Sequence, residues 1–381
     1  MSRRKPTDLL VFLGPSLPAA EARALAPCRV LPPARQGDLW RALALRPKAI
    51  ALVDGVFESV PSVWHHEILA ALDAGVAVLG GSSMGALRAA ELWQQGMVGV
   101  GRIFRMYRDG VLTDDAEVAL LHAGAEAGFE AFTVPLVNVR HNAARAQAAG
   151  ALTGREAKAL VKAGQSVFFQ DRTWEQVLEA AKLPAKTRAR WDAWVRRKGL
   201  EDLKALDARA CLEAAKALLD SGDLPAVGMI RARPSSLVRR RRLREGATLR
   251  EGETTVANER ILEALARRPD AGSLARDGLR TLLLAGWARE LGLEATAEET
   301  AEAERAWWRE QRVPPSARAE YLARSGLDAG EARTLWESLV LEEKVLERSA
   351  RMLNDGPADD EGLAFEARRR GLWARAKARG R

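Results

Sequence analysis

Short apolar runs alternating with segments of helical spacing predict an α/β N-terminal domain with a mainly parallel sheet and a serine strand-turn-helix elbow, followed by an all-α C-terminal extension. Three observations carry that class. Strand-like and helix-like periods alternate over the first 150 residues. The stretch from Val76 to Leu92 joins an apolar run to a helix through a glycine-flanked serine turn. Beyond about residue 150, alanine, arginine, glutamate and leucine recur at helical spacing. The expected domains are 1–175 and 176–381, the second dividing into two helical subdomains around a basic linker at 231–246.

The strands are expected at Leu9 to Leu13, Arg29 to Leu31, Ala49 to Val53 and Val76 to Leu79, each short and apolar. Helical spacing between them, as at Gly37 to Leu45 and Val63 to Leu72, supplies the crossovers that parallel strands need. Later, Ala151 to Ala163, Trp174 to Ala181, Lys186 to Arg197, Leu203 to Leu219, Asn258 to Ala266, Ala297 to Glu310 and Ala329 to Met352 read as amphipathic helices. Trp191, Trp194, Trp307 and Trp308 fall on these helices and are expected in the core before any partner surface.

Gly81 to Gly85 fit G-x-S-x-G, in which small flanking residues permit a sharp turn that holds the middle serine, Ser83, strained and outward as a nucleophile. The competing reading is that Ser82 or Ser83 caps the next helix. The N–H groups of Met84 and Gly85 would hold a developing oxyanion. Asp54 ends an apolar strand, so it either orients a base at the carboxyl edge of the sheet or closes the strand as an Asx turn. Arg88 and Glu91, three apart on the elbow helix, are expected to pair, with Arg88 also able to hold a carboxylate. An ordinary α/β-hydrolase is not expected, because no aspartate-then-histidine pair downstream completes its triad.

The chain resembles a TfuA-like protein. The resemblance rests on Phe12-Leu13-Gly14-Pro15-Ser16-Leu17, Leu31-Pro32-Pro33-Ala34-Arg35-Gln36-Gly37-Asp38, Val53-Asp54-Gly55-Val56-Phe57-Glu58, Val63-Trp64-His65-His66-Glu67-Ile68-Leu69, Ser83 to Leu92 and Tyr107-Arg108-Asp109-Gly110, in that order, and thins out near Thr173. It implies a partner of YcaO enzymes, which use ATP to activate a peptide oxygen for replacement. In thioamide-forming systems the TfuA-like protein is held to hydrolyse the thiocarboxylate of a ThiS-like sulfur carrier, releasing sulfide, and to help the YcaO enzyme hold its peptide. The implied site is a serine nucleophile with a lysine base, and Ser83 stands where the family serine belongs. Glu67, Arg88, Glu91, Arg108 and Asp109 lie in the matching blocks as candidate contacts for substrate or partner.

The fourth block departs from the family's usual Trp-His-Lys-Glu by reading Trp64-His65-His66-Glu67, which puts His66 in the lysine's place. An imidazole is a ready base at neutral pH. Successive helical residues point about 100° apart, so only one of His65 and His66 can face Ser83. Lys48, ahead of the third strand, is the alternative base.

No cofactor or metal is expected, since the chain has only four histidines and two cysteines, Cys28 and Cys211, without C-x-x-C or H-E-x-x-H spacing. The two isolated cysteines and the lack of a signal or membrane-spanning stretch place the protein in the cytoplasm. The net charge of +8 and the crowding of Arg231, Arg233, Arg239 to Arg242 and Arg244 raise a nucleic-acid reading. Without a nucleic-acid-binding pattern, a solvated basic face or a dock for an acidic protein explains the cluster with fewer assumptions.

Overall fold

The four residues of β1 (Leu9–Phe12) are all apolar and all buried, as a strand covered on both faces must be. The computed structural model describes residues 8–56, 60–226, 235–251, 253–352, 358–370 and 372, so that Glu58, Arg231 and Arg233 lie outside the described residues. β2 (Arg29–Leu31), β3 (Ala49–Leu52), β4 (Ala77–Gly80) and the short β5 (Val98–Gly99) join β1 in one sheet. Its order is β2-β1-β3-β4-β5 and every pairing is parallel. The chain leaves β1 for the edge at β2 and returns on the other side of β1. This reversal opens a crevice at the carboxyl ends of β1 and β3, where open α/β sheets bind ligands.

The helices of this unit are α1 (Ala19–Leu25), α2 (Asp38–Leu43), α3 (His65–Asp73), α4 (Met84–Leu92), α5 (Gly101–Arg108), α6 (Leu136–Ala148), α7 (Gly154–Ser166), α8 (Trp174–Ala180), α9 (Ala185–Lys198), α10 (Leu203–Ser221) and α11 (Ser236–Glu245). Strand residues of alternate parity serve the two faces of the sheet. Leu10, Phe12, Ile50, Leu52 and Val78 share a core with Leu39, Ile68, Met84 and Ile103 from α2 to α5. Leu9, Val11, Ala49, Ala51, Ala77 and Leu79 pack instead with Ala22 of α1 and with Ala208, Cys211, Leu212 and Ala215 of α10. α6 to α9 close a third core around Leu160, Trp191 and Trp194, both tryptophans being buried as expected.

α10 corrects the boundary expected at residue 175. The composition changes there, but the packing does not break. Ala208, Cys211, Leu212 and Ala215 recur at helical spacing and form a stripe that covers one face of the sheet, and Asp207 caps α5 by accepting from the N–H groups of Arg102 (2.9 Å) and Ile103 (2.7 Å). By packing, the chain divides into units 1–259 and 260–381.

The first unit also contains an antiparallel hairpin, β6 (Ala247–Glu251) and β7 (Thr254–Ala257), between the linker expected at 231–246 and the helix expected from Asn258, in a region expected to be all helical. α12 (Asn258–Ala266) follows it. The second unit holds α13 (Ala271–Glu290), α14 (Ala297–Gln311), α15 (Arg318–Arg324), α16 (Ala329–Met352) and α17 (Ala358–Arg369). Ala285 and Ala288 of α13 pack on Leu341 and Val345 of α16, and Trp308 of α14 packs on Ala332 and Trp336 of α16. No helix of the described residues is long and apolar enough to cross a membrane.

Candidate functional site

The serine turn sits where β4 gives way to α4, and its strain falls one residue earlier than the motif implies. Ser82 has φ +67°, in the left-handed region that a non-glycine residue adopts at a cost. Ser83, the centre of the motif, has φ −115° and ψ −124°. The Ser83 N–H donates to the Gly81 carbonyl at 2.9 Å, closing a tight turn centred on Ser82. Ser83 occupies the N-cap position of α4, yet its hydroxyl makes no capping bond. The capping role that competes with a chemical one is thus absent for Ser83.

The Ser82 hydroxyl donates to Ser16 Oγ at 2.9 Å, and Ser16 donates in turn to Asp54 Oδ1 at 2.6 Å. Asp54 Oδ2 accepts from the N–H groups of Gly14 (2.8 Å) and Ser16 (3.0 Å), which fixes the loop after β1 against the end of β3. Asp54 therefore stands on both sides of the topological switch point. It joins the two loops between which open sheets of this order bind their ligands.

Lys204, in the first turn of stripe-bearing α10, faces this chain. Its Nζ lies 4.0 Å from Asp54 Oδ1 and donates to the Val118 carbonyl at 3.0 Å. Burial pushes the Lys204 ammonium below the usual lysine range, opposed in part by the Asp54 and Asp202 carboxylates. Ser16, Asp54, Ser82, Ser83 and Lys204 are each no more than 2% exposed. A buried cluster of this kind strengthens every charge interaction within it.

Sequence reasoning missed Ser16 and Lys204. Ser16 stood in a quoted block without a role. Lys204 carried a readable signal, since it begins the series Lys204, Asp207, Ala208, Cys211, Leu212, Ala215 at helical spacing, which puts a lysine on a buried stripe.

The candidate bases lie elsewhere. His65 Nε2 is 2.8 Å from Glu91 Oε2, and Glu91 is two turns along α4 from Ser83, about 12 Å by helical rise. The His66 ring stands edge-on to Trp64 at 4.7 Å. Neither histidine hydrogen-bonds to Ser82 or Ser83 among the described residues. Lys48 precedes β3 and pairs with Asp8 at 3.1 Å. The strand that follows it separates it from the carboxyl edge by about 13 Å.

Of the two expected oxyanion donors, Gly85 is already engaged, because its N–H donates to the Val53 carbonyl at 3.2 Å. A side chain at Gly85 would bring its Cβ to 1.7 Å from the Leu52 carbonyl oxygen, so this glycine serves close packing of α4 on β3. The Met84 N–H, at the first position of α4, lacks an intrahelical acceptor and has no other backbone acceptor among the described residues.

Arg88 and Glu91 pair as their spacing predicts, at 2.7 Å, and Arg88 also donates to the Val63 carbonyl at 3.0 Å and Ser62 Oγ at 3.1 Å, tying α4 to the approach to α3. Arg108 and Asp109 are exposed and pair with each other at 2.8 Å. Glu67 is fully buried, which removes it from any contact surface. Its carboxylate accepts from the N–H groups of Trp64 (3.0 Å) and Leu39 (3.1 Å), linking the starts of α3 and α2.

Burial raises the Glu67 pKa to about 7 despite bonds from the backbone of Gly37, Trp64 and Leu39. The folded protein then keeps a proton that the unfolded chain has lost. The associated stability is complete below about pH 4.5 and is lost as pH rises through about 7. Wild type is expected to melt at a lower temperature at pH 8 than at pH 5, through a contribution on the order of 3 kcal/mol at most. Glu67→Gln is expected to flatten that step, as thermal melts of both proteins at the two pH values will show.

A doubly wound parallel sheet with serine hydroxyls, a carboxylate and a buried amine at its switch point defines an α/β protein whose site is built on an elbow turn. Residues 54–173 match the TfuA-like protein family, and over that span the chain is similar to it. The match contains Asp54, Ser82 and Ser83 but neither Ser16 nor Lys204. No curated protein matches the chain significantly.

Proposed function

We propose that this chain is the partner of a YcaO enzyme in ATP-dependent peptide backbone thioamidation, hydrolysing the C-terminal thiocarboxylate of a ThiS-like sulfur carrier and assisting the YcaO enzyme in holding its precursor peptide. What supports the hydrolytic reading is the buried amine of Lys204 at ion-pair distance, 4.0 Å, from Asp54, which is hydrogen-bonded through Ser16 to Ser82 at the serine elbow. In this reading the Ser83 hydroxyl attacks the thiocarboxylate carbon while neutral Lys204 takes its proton. The Met84 N–H holds the oxyanion, hydrosulfide departs, and water then releases the acyl group as the carrier's carboxylate and restores the serine. Lys204 takes the role of base first assigned to His66, and the lowered pKa of a desolvated lysine makes its amine competent for it. Arg108 and Asp109, both exposed, are contact residues for the carrier or the YcaO enzyme in the same reading.

The near-complete burial of the five site residues favours a second reading. In it the protein is a non-catalytic adaptor that binds and activates a YcaO enzyme, with the cluster as structural glue. One assay separates the two. Purified protein mixed with a thiocarboxylated carrier, without the YcaO enzyme, is expected to release sulfide over many turnovers. No release above the uncatalysed rate, with the YcaO enzyme still co-purifying, would leave the adaptor reading. Failure of both would overturn the proposal.

A further inference from the structure

We propose that the C-terminal helical unit carries a binding site for a phosphate-type oxyanion, formed by Arg309, Arg312 and Arg318 beside Trp308. A cavity of about 370 Å³ lies there, lined by these four residues with Val313 and Pro314. Among the described residues none of the three arginines has a carboxylate within ion-pair distance. The contrast is internal to the protein. A cavity of about 310 Å³ in the first unit is also rich in arginine. There, however, Arg41 is paired with Asp38 at 2.7 Å and Arg241 with Glu245 at 3.1 Å, so that site is largely neutralised.

Two of the three arginines are not explained by the local fold. Arg309 in the last turn of α14 complements the helix dipole. Arg318 opens α15, where the same dipole disfavours a cation. Its Nε is buried without a hydrogen-bond acceptor among the described residues, and an orphaned donor of this kind is costly. Arg312 takes the left-handed position after α14, with φ 55° and ψ 36°, a place where helices commonly set glycine.

The site has a rigid floor. Arg318 Cζ lies 5.0 Å over the Trp308 ring, whose Nε1 donates to Glu304 at 3.1 Å. The indole is only 2% exposed, so it stacks on the guanidinium and not on a ligand. Three unneutralised guanidinium forks facing one cavity fit an anion with several oxygens, such as free phosphate or the phosphoryl group of a larger molecule.

Calorimetric titration of the full chain at low salt tests the proposal, with inorganic phosphate and AMP as probes. Saturable one-site binding of phosphate is expected, weakened at least tenfold by Arg312→Gln and by Arg318→Gln, with melting temperature unchanged. Arg309→Gln, at an exposed position of α14, takes their place if either variant loses its fold, with the same weakening expected. Tighter binding of AMP assigns the site to a phosphoryl group, and equal binding assigns it to free phosphate. No saturable binding of either probe, or equal binding by wild type and the folded variants, would overturn the site.

Discussion

Ser83→Ala is expected to lower sulfide release from a thiocarboxylated carrier by about a thousandfold or more, since loss of a nucleophile leaves only the rate that binding and an oxyanion donor supply. The fold is expected to be unaffected. An alanine at an N-cap ordinarily costs about 1 kcal/mol because a side-chain bond to the helix is lost, but Ser83 makes no such bond. Melting temperatures of variant and wild type should therefore agree while activity does not. Release at the wild-type rate would remove Ser83 from the mechanism. If Ser82→Ala then abolished release, the reactive hydroxyl would belong to Ser82, which holds the left-handed conformation and the bond to Ser16.

Lys204→Met is expected to lower hydrolysis by about 10²- to 10⁴-fold, the range that a positioned base supplies. A fall in melting temperature is expected with it, because buried Asp54 loses its counter-ion and the Val118 carbonyl its donor, although Asp54 keeps its bonds to Gly14 and Ser16. The wild-type rate is expected to climb as pH increases through the pKa of the amine, which burial has moved below the ordinary lysine range. His66→Ala is the comparison, and a rate within a few-fold of wild type is expected for it. A purely structural lysine would show the fall in melting temperature with an unchanged rate in the folded variant. A large loss in the His66 variant would return the base to the histidine.

The sequence alone determined the parts that local periodicity encodes. β2 and α12 fall at their expected limits, as does α16, and β1, β3 and β4 are each within a residue of them. Strands covered on both faces must be apolar throughout, and surface helices must repeat their apolar residues near every fourth position. The serine turn and the pairing of Arg88 with Glu91 are local in the same sense. The hairpin β6–β7 escaped notice because its strands are short, half-exposed and set among arginines, without a sustained alternation of apolar residues.

The tertiary structure decided what surrounds the serine. His66 and Lys48 are nearer to Ser83 in sequence than Lys204, yet one lies on Trp64 and the other at the amino edge of the sheet. Lys204 reaches Asp54 across 150 residues because the apolar stripe of α10 must cover the face formed by Leu9, Val11, Ala51 and Leu79, which carries the lysine at its start to the carboxyl ends of the strands. The strain at Ser82 has the same origin. A motif gives the order of residues in a turn, while the close approach of Gly85 to the Leu52 carbonyl sets where α4 begins and hence which serine bears the left-handed conformation.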